Sequence, residues 1–223
     1  MREIIRIHEG GISLIAYLSG IMEKILNLFF IYTNNYGVAI IGLTILIKLV
    51  LMPLSYKQFK SMGQMQKIAP EQKRLQEKYK NDKEKLNEEL MKLYLEHKIN
   101  PAAGCLPMIV QMPFLFAFFR LLRDFNFAQA SFLWITDLSA PDTYFILPAL
   151  AGLTTYLSSK MTATSPDGSQ NNMSLFMSIF IIWISTRFAA GLALYWVVSN
   201  LFQLAQQMIL TRSVGMAKEE SGT

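Results

Sequence analysis

A single lysine, Lys48, interrupts the apolar stretch from Val38 to Leu54. If that stretch crosses a membrane, Lys48 lies near its middle, where an ammonium group costs about 2.5–3.5 kcal/mol on insertion scales. No Asp or Glu lies within any apolar run of the chain. We therefore expect Lys48 to face a hydrated cavity among helices. A lysine bonded to backbone carbonyls at a helix break is the open alternative.

Other polar side chains on the apolar runs are candidates for lining the same cavity. Thr44 lies one helical turn before Lys48, on the same helix face. Each polar candidate is also suited to hydrogen bonding between helices, and each aromatic one to ordinary packing. The remaining candidates are Gln111, Thr154, Ser158, Tyr195, Trp196, Asn200 and Gln203.

No catalytic or metal-binding pattern accompanies these residues. The two histidines, His8 and His97, lie far apart in the chain, and the single cysteine, Cys105, has no histidine near it. No Gly-rich phosphate-binding loop occurs either. The sequence therefore predicts a protein that is not an enzyme and that has no metal site and no cofactor.

The charged residues are concentrated in one part of the chain. Of 223 residues, 52% are hydrophobic and 17% are charged, with a net charge of +5. Soluble domains average about 25% charged residues. About half of the 21 basic and 16 acidic residues fall between Lys57 and Lys98. The composition thus excludes disorder and a disulfide scaffold, and it divides the chain into a lipid-soluble part and a charged insert.

Five apolar runs predict an all-α integral membrane protein with five transmembrane helices. Two of the runs are short for a span, which needs about 17–25 residues. They are either buried core helices or short spans in a locally thinned bilayer. The predicted spans are residues 37–57, 101–124, 144–160, 173–188 and 190–211.

The distribution of basic residues predicts the orientation of these spans. With the charged insert in the cytoplasm, fourteen basic residues lie inside and six outside, as the positive-inside rule requires. The N-terminus is then outside and the C-terminus inside. The connecting segments are an outer segment at 1–36, a cytoplasmic hairpin at 58–100, an outer loop at 125–143, a cytoplasmic loop at 161–172 and a cytoplasmic tail at 212–223.

The outer segment contains an amphipathic pattern from Ile12 to Tyr32. Ser19, Glu23 and Asn27 recur every four residues and form a polar face opposite an apolar one. Such a helix lies flat at a membrane surface. A sixth membrane span is the competing interpretation.

The insert predicts two antiparallel helices paired along a thin seam. The first helix begins at Pro70. The second helix has Asn81 as its N-cap and Glu84 three residues later, and it ends at Asn100-Pro101. The sequence does not choose between anionic lipid, ribosomal RNA and a targeting factor as the partner of this basic surface. The predicted seam residues on the second helix are Leu86, Leu90, Leu93 and Tyr94.

Four long segments carry a resemblance to a known family. They are ILIKLVLMPLSYKQ (45–58), NPAAGCLPMIVQMP (100–113), FLWITDLSAPDTYFILP (132–148) and GLALYWVVSN (191–200). With the order of elements, they make residues 12–212 strongly resemble the YidC/Oxa/Alb membrane protein insertases, in the short bacterial form.

The resemblance implies a protein of the bacterial plasma membrane that integrates newly made membrane proteins, alone or beside the Sec translocon. It implies a five-helix core with a hydrophilic groove that is open to cytoplasm and lipid and closed outside. Lys48 stands where the family usually has arginine, and Trp196 matches an aromatic position facing the groove. The implied partners are nascent membrane proteins and the lipid bilayer. The Sec translocon, the ribosome and a targeting factor are candidates, and no specific nucleic-acid sequence is implied.

Three departures from the family pattern limit this expectation. The large outer domain of Gram-negative relatives and the lipoprotein cysteine of Gram-positive relatives are missing, and the tail after Arg212 is short and of mixed charge. Two other function classes remain open. One is a small transporter or channel in which Lys48 is the counter-charge for an anion, and the other is a passive assembly chaperone.

Overall fold

The computed structural model describes residues 2–100, 106–124, 131–162 and 168–220. These residues form eight α-helices and no strand, with one isolated β-bridge between Phe132 and Ile135, so the predicted all-α class is confirmed. The helices are α1 (Arg2–Thr33), α2 (Tyr36–Val50), α3 (Met52–Lys78), α4 (Lys83–Glu96), α5 (Leu106–Asp124), α6 (Ile146–Thr162), α7 (Gly168–Ser185) and α8 (Ala190–Glu220).

A tight turn joins α1 to α2. Asn34 has a φ of 51°, a left-handed conformation that asparagine tolerates better than most residues. Asn35 is the N-cap of α2, and its side chain accepts a hydrogen bond from Val38 N at 3.1 Å. This turn lets α1 pack against α2 and α5, with Met22 and Leu26 buried in the common core.

The core of the bundle lies between α1, α2, α5, α6 and α8. Glycine allows the closest approaches there. A Cβ on Gly37 would overlap the ring of Phe132, and one on Gly152 would overlap Ile182 of α7. The largest fully buried side chains are Leu26, Ile40, Leu43, Thr44, Phe118, Leu121, Leu138, Pro148 and Tyr195.

Large apolar side chains cover much of the outside of the bundle, most densely on α7. An apolar surface of this extent on a soluble monomer would drive association, whereas in a bilayer it is the stable arrangement. The exposed residues of α7 are Met173, Leu175, Phe176, Met177, Ile179, Phe180, Ile182 and Trp183.

Length and composition single out few of these helices as complete membrane spans. Within the described residues, Ser13–Thr33 of α1 is long and apolar enough, and α2 with α3 qualifies only if the bent pair is one span. Asn172–Ser185 of α7 is apolar but shorter. The five-span topology therefore stays a prediction, and α1 meets the criterion that the competing sixth-span interpretation needs.

The first predicted span, 37–57, is not one straight helix. It breaks at Leu51, and α3 leaves at 63° to α2. Pro53 explains the break, because proline lacks a backbone N–H and disfavours helical geometry in the residue before it. Lys48 is therefore in the last turn of α2 and not within a continuous helix, and its position near the middle of the membrane stays a prediction.

The charged insert also differs from its predicted boundaries. Pro70 lies inside α3 and does not begin a helix. Ile68 and Gln72 on either side of it are buried, and this packing outweighs the hydrogen bond that the proline removes. The N-cap of α4 is Asp82, which accepts from Lys85 N at 3.0 Å, and not Asn81.

The seam between α3 and α4 is short. Its buried residues are Ile68, Leu93 and Ile99, with Leu75 and Tyr94 packed against them. Leu86 and Leu90 of the predicted seam are only partly buried. The helix α4 ends at Glu96, four residues before Asn100, and Pro101 lies outside the described residues.

The later helices exceed or shift the predicted limits. The helix α6 ends at Thr162, α7 runs from Gly168 to Ser185, and α8 continues to Glu220 through most of the predicted tail. Residues 101–105 of the second predicted span, 125–130 of the outer loop and 163–167 of the cytoplasmic loop lie outside the described residues. The helices α6 and α7 have 17 and 18 residues, longer than the apolar runs inside them.

Candidate substrate groove

A cavity of about 360 Å³ lies where the α2–α3 junction meets α5, α6 and α8. Its walls combine hydroxyl groups, carboxamides, one ammonium group and apolar side chains. The lining residues are Lys48, Leu51, Leu54, Ser55, Gln58, Phe59, Met62, Val110, Gln111, Met112, Leu115, Thr155, Ser158, Ser159, Tyr195, Trp196, Ser199, Asn200, Gln203 and Gln206.

Lys48 enters this cavity from the C-terminal turn of α2. The free carbonyls at a helix C-terminus carry partial negative charge, which stabilises a cation there. Its Nζ donates a hydrogen bond to Gln111 Oε1 at 3.3 Å. Among the described residues no carboxylate forms an ion pair with Lys48. The ammonium therefore lies at a helix break, as in the alternative interpretation, but its bond is to a side chain.

Gln111 connects Lys48 to the opposite wall of the cavity. The Gln111 Nε2 donates to the hydroxyl of Tyr195 on α8, and Ser199, one turn later on α8, also lines the cavity. The ring of Tyr195 is buried and stacks on Phe118 of α5, with the ring centroids 4.6 Å apart. Three helices are thus linked through one chain of polar contacts.

A second set of hydrogen bonds joins α6 to α8. Trp196 Nε1 donates to Thr155 Oγ1 at 3.0 Å. The carboxamide of Asn200 lies 2.9 Å from Thr155 Oγ1 and 3.2 Å from Thr154 Oγ1. Such bonds fix the relative position of two helices where the surroundings are apolar.

The structure brings seven of the nine predicted candidates together, and these are Lys48, Gln111, Ser158, Tyr195, Trp196, Asn200 and Gln203, which all line the cavity. Thr44 does not, so that prediction is wrong. Its side chain is fully buried, and Oγ1 donates to Ile40 O at 2.7 Å within α2. Thr44 lies one turn too early, because α2 ends just beyond Lys48 and only its last turn reaches the cavity. Thr154 likewise bonds its own helix, at Leu150 O.

One wall of the cavity was missed by the sequence argument. Ser55, Gln58 and Met62 of α3 line it, together with Leu54 and Phe59. Their spacing of three and four residues is typical of one helix face, and this periodicity is visible in the sequence beyond Pro53. Because residues 58–100 are predicted as the charged hairpin, the sequence does not predict this face of α3 as part of the cavity wall.

The described residues of the groove offer hydroxyl and carboxamide groups and one ammonium group for binding. Among the described residues no group of three or more metal-binding side chains occurs. A cation in a polar cavity, enclosed by helices with an apolar exterior, defines the class as an all-helical membrane protein with a polar cavity.

Comparison with known proteins identifies the family. Residues 28–218 match the sequence model of the family described as 60Kd inner membrane protein. The "Membrane protein insertase YidC" of Caldanaerobacter subterraneus is 46% identical over 206 residues, which are 92% of this chain and 97% of that protein. The protein of the same name from Citrifermentans bemidjiense is 45% identical over 185 residues, 82% of this chain and 34% of that protein.

A solved structure has the same fold. The crystal structure titled "Active YidC insertase crystal structure with the first transmembrane domain resolved" superimposes with a TM-score of 0.70 and 29% identity, over 83% of this chain and 45% of that one. The chain belongs to the YidC/Oxa family of membrane protein insertases. It spans about a third of the length of several curated relatives and nearly all of the Caldanaerobacter one.

Proposed function

We propose that this protein is a membrane protein insertase and chaperone that integrates newly synthesised membrane proteins, without catalysing a chemical reaction. The observation that carries the proposal is the position of Lys48, a cation without a carboxylate partner among the described residues, in a polar cavity of an apolar-faced bundle. The names of the relatives and of the solved structure support it. They do not favour the transporter or channel interpretation.

The proposed topology has five spans, formed by α2, α5, α6, α7 and α8, with the N-terminus outside and the C-terminus in the cytoplasm. The helix α1 then lies at the outer surface. Glu23 and Lys24, in the middle of its apolar part, are both exposed. In a sixth span both charges would face lipid, each at a cost of about 2.5–3.5 kcal/mol. Their exposure therefore favours the interfacial placement.

The groove lowers the cost of moving a polar segment across the membrane. Lys48 attracts an acidic or polar tail of the substrate into the cavity, where hydroxyl and carboxamide groups replace part of its hydration. The apolar segment of the substrate slides along the exposed helix faces into lipid, favoured by about 25 cal/mol per Å² of apolar surface buried. The membrane potential adds about 2.3 kcal/mol per 100 mV for each negative charge that moves outward.

The hairpin of α3 and α4 reaches into the cytoplasm in this topology. Its position next to the groove suits it to receive the substrate or its delivery machinery. The Sec translocon, the ribosome and a targeting factor are the partners to test, because α3 carries six basic and two acidic residues.

Insertion of a small substrate with an acidic outer tail tests the groove charge. The purified protein is reconstituted in vesicles as wild type and as Lys48→Ala, Lys48→Glu and Lys48→Arg. We expect Ala to lower the insertion rate at least about tenfold, Glu to lower it further through like-charge repulsion, and Arg to retain most of it. Folded and abundant Ala and Glu variants that insert at the wild-type rate would overturn the proposal.

The same vesicles separate insertion from transport. Their permeability to small anions is measured alongside insertion. We expect no flux beyond that of protein-free vesicles, and a Lys48-dependent anion flux with no insertion would favour the transporter interpretation.

A further inference from the structure

The neutral side chain of Gln111 connects Lys48 to the rest of the bundle by hydrogen bonds. On one side Oε1 accepts from Lys48 Nζ at 3.3 Å, and on the other Nε2 donates to the Tyr195 hydroxyl. Both polar atoms of the carboxamide are thus engaged, and the orientation is set because the oxygen only accepts and the NH2 group donates. Lys48 therefore meets the carboxamide oxygen.

The far end of this chain of contacts is rigid. Tyr195 is 1% exposed, and its ring stacks on Phe118 of α5, the helix that also carries Gln111. Burial and stacking hold the Tyr195 ring in place, and its hydroxyl holds the Gln111 carboxamide on the side away from Lys48.

The charge of the contact matters as much as its position. A carboxylate at position 111 would give Lys48 an ion pair within the cavity and leave little charge for a substrate. The glutamine accepts the hydrogen bond without neutralising the ammonium. Among the described residues, no other side-chain hydrogen bond of Lys48 is found.

We propose that Gln111 is a positioning and specificity-determining residue of the groove, which Tyr195 holds so that it aims the Lys48 ammonium into the cavity and leaves its charge available to an acidic substrate tail. The inference rests on the proposed insertase function. It predicts that position 111 controls the preference for acidic over neutral tails, whereas a purely structural role would affect both substrates equally.

The test measures insertion of two substrates that differ only in an acidic or a neutral outer tail. Gln111→Glu has nearly the same shape and pairs with Lys48, so we expect insertion of the acidic-tailed substrate to fall about tenfold and that of the neutral-tailed one to stay within about twofold. Tyr195→Phe removes only the hydroxyl, and we expect a smaller loss, of about threefold, with the same preference for affecting the acidic tail. Gln64→Glu makes the same chemical change at an exposed position of α3 and serves as the matched control.

The Lys48→Ala variant distinguishes a failure of the proposed groove function from a failure of the proposed role of Gln111. If Lys48→Ala does not reduce insertion of the acidic-tailed substrate, the proposed function of the groove charge fails. If Lys48→Ala reduces it but Gln111→Glu leaves the ratio of the two substrates unchanged, or changes it no more than Gln64→Glu does, the role of Gln111 fails. Equal losses for both substrates in Gln111→Glu would also overturn it, because they indicate damage to the bundle.

Discussion

The groove-bearing bundle and the charged hairpin of α3 and α4 differ in composition and packing, although α3 belongs to both. In the bundle, glycines bring helices close together, and buried polar groups such as Tyr195 and Thr155 bond across helices. In the hairpin, one small apolar cluster around Leu93 joins two helices covered with charges. The bundle therefore holds a defined cavity in a fixed shape, whereas the hairpin has little packing to resist bending. One chain thus combines a stable binding site with a weakly held appendage.

The largest difference in stability is expected from one substitution made in both regions. Gly152→Ala, on α6, forces a methyl group against Ile182 and to within 3.1 Å of Ser178 O on α7, and we expect it to lower the free energy of unfolding by about 1–3 kcal/mol. Gly63→Ala, on α3, meets nothing within 4 Å and should stabilise that helix by up to about 1 kcal/mol. Thermal unfolding in detergent measures both changes in the free energy of unfolding. If both variants were destabilised, or both stabilised, the two regions would not differ in packing.

Truncation of the hairpin seam is expected to have a local effect. Leu93→Ala removes the main buried side chain of α4, at a cost of about 2–3 kcal/mol. Because that cluster is separate from the bundle core, the loss should appear as faster hydrogen exchange in α3 and α4 and not in α5 or α8. Exchange that increases equally in the bundle would mean that the two regions unfold together.

The smallest expected effect concerns a surface ion pair of α4. Lys92 Nζ lies 2.8 Å from carboxylate oxygens of both Glu88 and Glu89, and its hydrogen bond lowers the pKa of Glu89 below the ordinary value of 4.5. A lowered pKa stabilises the folded hairpin above pH 4.5, and this contribution is lost as the pH falls through the lowered value. Lys92→Met should return the pKa of Glu89 towards 4.5 and flatten that dependence.

Titration of the side-chain carbon signals by NMR measures this change. Lys85→Met, which removes a more distant charge on the same helix, is the matched control and should shift the pKa of Glu89 less. An unchanged pKa in Lys92→Met would mean that the ion pair is not formed in solution.

Much of the site was predictable, because a polar side chain in an apolar run needs a hydrogen-bond partner or a hydrated cavity. The polar residues of the predicted spans that line the cavity include Lys48, Gln111, Ser158 and Asn200. Thr44 was predicted by the same logic, but a threonine satisfies its hydroxyl within its own helix, as the bond to Ile40 O shows. Position along the helix explains the different outcome, since only the last turn of α2 reaches the cavity and Thr44 lies one turn before it.

The all-helical class, the charged insert and the family follow from the sequence, because composition, hydrophobic periodicity and long motifs are local properties. The place of Lys48 depends on folding, because the 63° bend after Leu51 puts it at a helix end and brings α3 into the groove wall. Pro53 marked the bend in the sequence, but the direction of α3 beyond it depends on packing against α4 and α5. Likewise, only folding brings Gln111 and Tyr195 into contact across 84 residues of sequence.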